Sequence, residues 1–212
     1  ASTNASTFDA LARDFMQRRW LPDLRFISHY PDFAPYIQAM AEHISAYREA
    51  HGSADKLIFS YHGVPKRFLL KGDPYFCECH KTSRLLAEAL GLADDQWMTT
   101  FQSRFGREEW LQPYTDATLK ALPGQGVKSV QVFCPGFSAD CLETVEEIDE
   151  ENRGYFEQAG GESFAYISAM NAEPVHLDAL TQLIENNLQG WQPGDNQPAT
   201  LAARAARAEA LK

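Results

Sequence analysis

The sequence predicts an α/β fold, a Rossmann-like doubly wound parallel sheet enclosed between two layers of helices in a three-layer α/β/α sandwich. Short apolar runs rich in Val, Ile and Phe alternate with longer segments of helical periodicity. Glycine and proline residues stand between the two kinds of segment, where strands and helices stop. Strands that are separated by helices form β-α-β units, in which the strands lie parallel.

Strands and helices can be placed from this pattern. The strands are expected at residues 24–28, 56–61, 97–102, 128–133 and 163–167. The helices are expected at about residues 5–19, 33–49, 76–90, 108–121, 140–159 and 174–188. Residues 192–200 have the composition of a linker, and the Ala-rich, basic tail beyond them is predicted to form a terminal helix.

The composition is that of an ordinary globular chain, and it excludes several classes of function. A length of 212 residues with 44% hydrophobic residues suits one large domain, or one domain with appendages. The formal net charge of −10 argues against nucleic acid as a partner and against a polybasic membrane patch. The apolar runs are too short to span a bilayer. The four cysteines have neither disulfide nor zinc spacing, so we expect them to be reduced in a cytoplasmic protein.

Candidate functional residues follow the predicted strands. In an open parallel sheet, ligands bind beyond the carboxyl ends of the strands, and His29, His62 and Ser103 stand at such positions. His62 precedes Gly63, which allows a sharp turn that leaves the imidazole exposed. We interpret His62 either as a hydrogen-bonded residue at a strand end or as a metal ligand or proton acceptor, because a neutral imidazole does both near pH 7.

Residues 140–151 carry seven carboxylates, although like charges three or four residues apart on a helix repel each other. Asp140 is expected to be the helix N-cap with Glu143 at position N3, as in a capping box. Capping does not explain Glu147 and Glu151, which share one helix face with Glu143 because the three are spaced by four residues. The row is interpreted either as a solvated acidic face or as a path of oxygen ligands for a hard divalent cation.

Aromatic residues cluster near the predicted strand ends. Phe105, Trp110 and Phe137 are such residues, and they suit either a core or the wall of a pocket for a flat ligand. Cys141, beside the acidic stretch, has the usual interpretation of a small buried hydrophobe. An imidazole, a carboxylate and an apolar slot together favour a site where a divalent metal meets a large planar molecule.

These residues and the stretches around them resemble ferrochelatase, the enzyme that inserts ferrous iron into protoporphyrin to make haem. The matching stretches are LIFSYHGVPKRFLLKGDPY, FQSRFGREEWLQPYTD and FCPGFSADCLETVEEIDEENR, and STNA and LRFISHYPD fit as well. The resemblance covers residues 1 to about 190 and is closest to the proteobacterial branch. It implies a chelatase-like fold and a lyase of haem and porphyrin biosynthesis, with ferrous iron and protoporphyrin as substrates.

The resemblance also assigns roles to the acidic residues and the histidine. His62 corresponds to the family's active-site histidine and Glu143 to its essential carboxylate. Together with Glu147 and Glu151 they make up the expected metal-binding set. The family's acidic row lies along an unusually wound helix and is proposed to conduct metal or protons. Asp140 matches an acid at the start of that helix.

The porphyrin pocket is expected from the same resemblance to be lined by Arg104, Phe105, Trp110 and Phe137. Cys141 is a departure, because many family members have histidine at this position, and its presence removes a second imidazole from the site. The tail lacks the cysteines that would bind the iron–sulfur cluster of some relatives, so none is expected.

The resemblance divides the chain into a connecting helical segment (1–23), a C-terminal α/β domain (24–190), and a linker with a tail helix (191–212). We expect a truncated chain, because the family's N-terminal domain, which supplies much of the porphyrin-binding lip, has no counterpart in the sequence. Two alternatives stay open: a related chelatase that acts on sirohydrochlorin or coproporphyrin, and a non-catalytic haem- or metal-binding domain. Oligomeric state stays open, as does peripheral membrane contact of a cytoplasmic protein with lipophilic substrates.

Overall fold

The computed structural model describes residues 2–191 and 197–211, and these contain a four-stranded parallel sheet. The strands are β1 (Lys56–His62), β2 (Trp97–Gln102), β3 (Ser129–Phe133) and β4 (Ser163–Tyr166). Their spatial order is β2-β1-β3-β4, and each neighbouring pair is parallel. The predicted α/β class with a parallel sheet is therefore confirmed.

The described residues also form nine α-helices. They are α1 (Ser2–Phe15), α2 (Ala34–His51), α3 (Lys66–Leu70), α4 (Tyr75–Ala89), α5 (Thr115–Ala121), α6 (Leu142–Thr144), α7 (Arg153–Gln158), α8 (Pro174–Asn187) and α9 (Pro198–Glu209). A 3-10 turn covers Pro123–Gln125, and a π-helix covers Val145–Asn152. Part of the predicted linker, residues 192–196, lies outside the described residues, and α9 occupies the predicted tail.

Residues 24–28 form no strand in the described structure, so this prediction was wrong. Apolar residues of this kind are typical of a strand, but the sequence pattern does not tell whether a sheet edge is available for pairing. Phe26 remains 37% exposed and meets the Phe8 ring of α1 edge-on. His29, expected at the end of this strand, is exposed, and its Nδ1 is hydrogen-bonded to the Glu78 carboxylate of α4.

Two of the predicted helices differ in the structure: one is shorter than expected and one is divided. The helix expected at 108–121 begins only at Thr115, after an irregular loop. The helix expected at 140–159 is divided into α6, the π-helix and α7. At the end of the π-helix, the Arg153 N–H donates to the Ile148 carbonyl five residues back. Helices of this winding are rare and are frequently found at functional sites.

Two hydrophobic clusters lie on opposite faces of the sheet, because alternate side chains of β1 point to opposite faces. Leu57 and Phe59 belong to the cluster that packs against α2, α4 and α8. Ile58 belongs to the cluster that packs against α5, the π-helix and α7. The sheet is thus covered by helices on both faces, as the doubly wound prediction requires.

The winding of the chain reverses between β1 and β3. β2 lies on one side of β1, whereas β3 and β4 lie on the other side. In folds of this class, ligands bind in the crevice beyond the carboxyl ends of the strands at such a point. His62 closes β1 and Glu143 lies in the segment after β3, so the fold places both at this edge of the sheet.

Candidate active site

His62 ends β1 with its side chain half-buried. Its Nδ1 lies 2.6 Å from the carbonyl oxygen of Gly63. Because a carbonyl only accepts hydrogen bonds, Nδ1 carries a proton, and in the neutral form of the ring the lone pair is on Nε2. The Tyr75 hydroxyl donates to the His62 carbonyl at 2.8 Å and holds the backbone in place. Nδ1 therefore orients the ring, and Nε2 is the atom that can accept a proton or bind a metal.

A cavity of about 560 Å³ opens beside His62, and two aromatic side chains form one of its walls. The Trp110 ring lies 6.4 Å from the His62 ring and 4.9 Å from the Phe105 ring. Trp110 is only 5% exposed, whereas Phe105 is 74% exposed. A fixed ring beside an exposed one offers an apolar surface to a flat ligand.

Arg67 and Arg107 also line this cavity, and the sequence analysis missed them. Arg67 lies on α3, and two ion pairs join this helix to the loop that carries Arg107: Arg67 with Glu108 at 2.7 Å and Lys66 with Glu109 at 2.9 Å. The cavity therefore combines an aromatic wall with cationic groups. The signal for them was their place in the VPKR and FGRE stretches, which follow β1 and β2 in the sequence.

Gly63 lets the turn after β1 pass close to the end of β2. Its N–H donates to the Gln102 carbonyl at 2.8 Å. A Cβ at this position would lie 2.9 Å from that carbonyl oxygen and 3.2 Å from Cε3 of Trp110. A side chain here would therefore push the backbone of β2 or the aromatic wall out of place.

Replacing Gly63 by alanine is expected to lower the free energy of unfolding by about 1–3 kcal/mol, because the clash is with backbone and a buried ring. Urea denaturation of the 212-residue chain measures the change. Gly124→Ala is the matched control, since a Cβ there would meet no atom within 4 Å. Equal stability of the two variants would contradict the close approach at Gly63.

Cys141, rather than Asp140, is the N-cap of α6. The Cys141 side chain accepts the N–H of Thr144, and Thr144 Oγ1 accepts the Cys141 N–H at 3.0 Å. Position N3 is therefore Thr144, not Glu143, and the predicted capping box of Asp140 and Glu143 was wrong. Aspartate is more frequent than cysteine as an N-cap, but the Asp140 carboxylate accepts hydrogen bonds from residues near the end of β4 instead of capping α6.

Asp140 accepts hydrogen bonds from four donors near the end of β4. Oδ1 accepts from the Tyr166 hydroxyl at 2.7 Å, from the Ala169 N–H at 3.1 Å and from Thr144 Oγ1 at 3.1 Å. Oδ2 accepts from Asn171 Nδ2 at 2.8 Å. Partial burial acts to raise the pKa of Asp140, but these donors together lower it below its ordinary value. Asp140 thus ties the start of α6 to the loop after β4.

Glu143 follows this cap and is held as a carboxylate. The Cys141 thiol donates to it and its own backbone N–H donates as well, and a protonated His62 would act in the same direction, so the pKa of Glu143 is lowered. Partial burial and the Glu143 carboxylate raise the pKa of the Cys141 thiol, which therefore stays a donor. A protonated His62 is thus within electrostatic reach of Glu143, and Cys141 places a thiol beside this carboxylate.

The carboxylates of the acidic row, Glu143, Glu147 and Glu151, differ in exposure and in hydrogen bonding. Glu143 and Glu147 are half-buried, whereas Glu151 is exposed. Glu147 accepts the Ser103 N–H at 2.6 Å and Gln102 Nε2 at 3.4 Å. Within residues 2–191 and 197–211, no three His, Cys, Asp or Glu side chains form a group that could hold a metal ion. The metal roles of His62 and the acidic row therefore stay predictions.

Arg104 and Phe137, both predicted to line a porphyrin pocket, have other neighbours in the structure. Arg104 pairs with Asp116 at 3.0 Å, and its guanidinium lies 4.0 Å from the Tyr114 ring centroid. Phe137 is half-buried against the core cluster beneath the π-helix. Their roles toward a ligand also stay predictions, whereas Phe105, Trp110 and His62 do meet at one cavity.

Comparison with known proteins was decisive for the family. A family model described as "Ferrochelatase" matches residues 1–188, which is most of the chain. The chain belongs to the ferrochelatase family. It is 83% identical over 192 residues to the ferrochelatase of Alcanivorax borkumensis, covering 91% of this chain and 56% of that protein. It is 70% identical over 212 residues to the ferrochelatase of Marinobacter nauticus, covering 100% of this chain and 57% of that protein.

A third relative, the ferrochelatase of Idiomarina loihiensis, is 73% identical over 195 residues, covering 92% of this chain and 54% of that protein. This ferrochelatase-family chain thus spans about half the length of the curated relatives that it matches. The predicted resemblance is confirmed at the level of the family. None of the described helices combines the length and the apolar character needed to cross a bilayer.

Proposed function

We propose that the protein is a ferrochelatase that inserts ferrous iron into protoporphyrin, releases two protons and forms protohaem, the last step of haem biosynthesis. The observation that carries this proposal is the hydrogen bond between His62 Nδ1 and the Gly63 carbonyl, which leaves Nε2 available beside a 560 Å³ cavity with an aromatic wall. Glu143 lies within electrostatic reach of the protonated form of this ring. Family membership supports the same chemistry. Iron and protoporphyrin are both substrates in this proposal.

The geometry supports a division of labour between His62 and Glu143. Metallation exchanges two pyrrole N–H protons for one Fe²⁺, so the site must accept protons and replace water around the metal. Nε2 of His62 takes a pyrrole proton, and the Glu143 carboxylate stabilises the imidazolium that forms. His62 then releases this proton to solvent and accepts the second. The macrocycle packs against Trp110 and Phe105 meanwhile.

The acidic row and the cavity mouth complete the proposal. Glu143 and Glu151 offer carboxylate oxygens to an incoming hard cation, with Glu147 between them. Arg67 and Arg107 are placed to pair with the carboxylate side chains of a tetrapyrrole. A cytoplasmic location with peripheral membrane contact remains our expectation for lipophilic substrates.

The test uses a chimera in which this chain replaces the matching part of the Alcanivorax borkumensis ferrochelatase, to which it is 83% identical. Purified chimera is incubated with protoporphyrin and Fe²⁺ or Zn²⁺, and metallation is followed by porphyrin fluorescence. We expect turnover with protoporphyrin. Turnover only with coproporphyrin or sirohydrochlorin would favour a related chelatase. Metal or haem binding without metallation would favour a non-catalytic domain.

The thiol of Cys141 gives a prediction on acidity. Cys141→Ala removes the first donor to Glu143, so the lowered pKa of Glu143 is expected to rise toward its ordinary value. The carboxylate then protonates at higher pH, and the acid limb of the metallation rate moves up with it. Carboxyl-carbon NMR titration of labelled glutamate measures the pKa. Cys141→Ser keeps a donor and is the control, and equal Glu143 titration in both variants would contradict the assignment.

A further inference from the structure

Glu147 has both carboxylate oxygens occupied by hydrogen bonds to the end of β2. Oε1 accepts the backbone N–H of Ser103 at 2.6 Å. Oε2 accepts the Ser103 hydroxyl through a short hydrogen bond and Gln102 Nε2 at 3.4 Å. Three protein donors thus bind the Glu147 carboxylate, which distinguishes it from a surface carboxylate bound only by water.

The residue that Glu147 holds has an unusual backbone. Ser103 has φ 62°, in the left-handed region that residues other than glycine seldom adopt. Such a conformation persists where neighbouring groups hold it, and here Glu147 accepts both the N–H and the hydroxyl of Ser103. The turn leads directly into the loop that carries Phe105 to the cavity wall.

Gln102, at the end of β2, connects Glu147 to Glu143 and His62. Its Nε2 donates to the Glu143 carbonyl at 2.6 Å, and its Oε1 accepts from Ser60 Oγ at 2.7 Å. It is also the register partner of His62 in the β1–β2 ladder. Gln102 is 3% exposed, so these contacts are made inside the protein.

We propose that Glu147 is a positioning residue. With Gln102 and Ser103 it forms a brace, the Glu147 brace, that fastens the first part of the π-helix to the end of β2. The brace sets the Glu143 carboxylate relative to His62 and keeps the Phe105 loop at the cavity. If Glu147 released Ser103 to carry a cation, the Ser103 N–H would lose its acceptor. The effect of the brace on turnover rests on the proposed function, but the brace itself does not.

The brace is tested first in the 212-residue chain by NMR. We expect a scalar coupling across the hydrogen bond between the Ser103 amide nitrogen and the Glu147 carboxyl carbon in the unmodified protein. Glu147→Ala is expected to speed hydrogen exchange of the Ser103 amide by about tenfold or more, since a charge-assisted hydrogen bond is lost. Glu147→Gln retains an acceptor oxygen and should restore most of the protection.

Glu150→Gln is the matched control, because Glu150 is exposed on the same π-helix and its replacement should leave Ser103 exchange as it was. In the chimera, Glu147→Ala is expected to lower kcat for Zn²⁺ insertion, with Glu147→Gln recovering it to within a few-fold. No coupling to Ser103, or loss of Ser103 protection when Zn²⁺ is added, would overturn the brace. So would a Glu147→Gln variant that keeps Ser103 protection but not turnover. An inactive unmodified chimera would contradict the proposed function alone.

Discussion

Replacing His62 by alanine in the chimera is expected to lower the rate of protoporphyrin metallation by about 10²- to 10⁴-fold, the usual contribution of a positioned proton acceptor. The loss follows from Nε2, the atom that the Gly63 carbonyl leaves free by engaging Nδ1. Loss of porphyrin fluorescence in the presence of Zn²⁺ measures the rate. Protoporphyrin binding, measured by quenching of protein fluorescence, should change much less, because the aromatic wall of Trp110 and Phe105 remains.

The matched control for this prediction is His51→Ala, since His51 is an exposed histidine at the end of α2, away from the sheet edge. Its metallation rate should equal that of the unmodified chimera. Added imidazole should recover part of the His62→Ala rate if the missing group is a proton acceptor. A His62→Ala variant that metallates protoporphyrin at a near-normal rate would remove His62 from the mechanism.

Replacing Asp140 by alanine is expected to lower the free energy of unfolding by about 2–3 kcal/mol at pH 7, because four donors lose a charged acceptor. The folded-state pKa of Asp140 lies below its unfolded value. Its contribution is therefore complete above the unfolded pKa and disappears as the pH falls through the folded pKa. Urea denaturation at pH 7 and at successively lower pH measures both effects.

Asp178→Ala is the control for Asp140, since Asp178 is an exposed carboxylate on α8. Its replacement should change stability by less than about 0.5 kcal/mol at pH 7. The stability difference between the Asp140→Ala variant and the unmodified chain should shrink on acidification. A difference that stays constant down to low pH would show that the donors do not depend on the Asp140 charge.

The strands of the sheet could be predicted from the sequence almost to the residue. Residues 56–61 and 97–102 contain short apolar runs with few charged residues, and β1 and β2 occupy these places because both strands are covered on both faces. The apolar residues of 24–28 were misleading, since a strand also needs a neighbour with free backbone groups. Whether such a neighbour exists is a property of the whole fold.

The winding of the π-helix could not be derived from periodicity. Glutamates spaced by four residues fit an α-helix equally well, so only the resemblance pointed to unusual winding. In the structure, the Asn152 side chain donates to the Glu147 carbonyl, and the Glu147 carboxylate is held by Ser103. Ser103 is distant in sequence from this helix, and local propensity carries no information about such a contact.

The candidate site was predicted in part. His62, Phe105 and Trp110 meet at one cavity because each follows or closes a strand at the same edge of the sheet. The cap of α6 was misassigned because propensity ranks aspartate above cysteine. Three of the four donors to Asp140 come from Tyr166, Ala169 and Asn171, which only the folded chain brings near.

In the proposed mechanism, His62 and Glu143 act as one proton-accepting unit in porphyrin metallation. A double-mutant cycle in the chimera tests it most directly, with kcat for Zn²⁺ insertion measured for His62→Ala, Glu143→Gln and the double variant. If the two residues form one proton-accepting unit, each single change removes most of the rate and the double change costs little more. Effects that multiply independently, or near-normal turnover by either single variant, would contradict the claim.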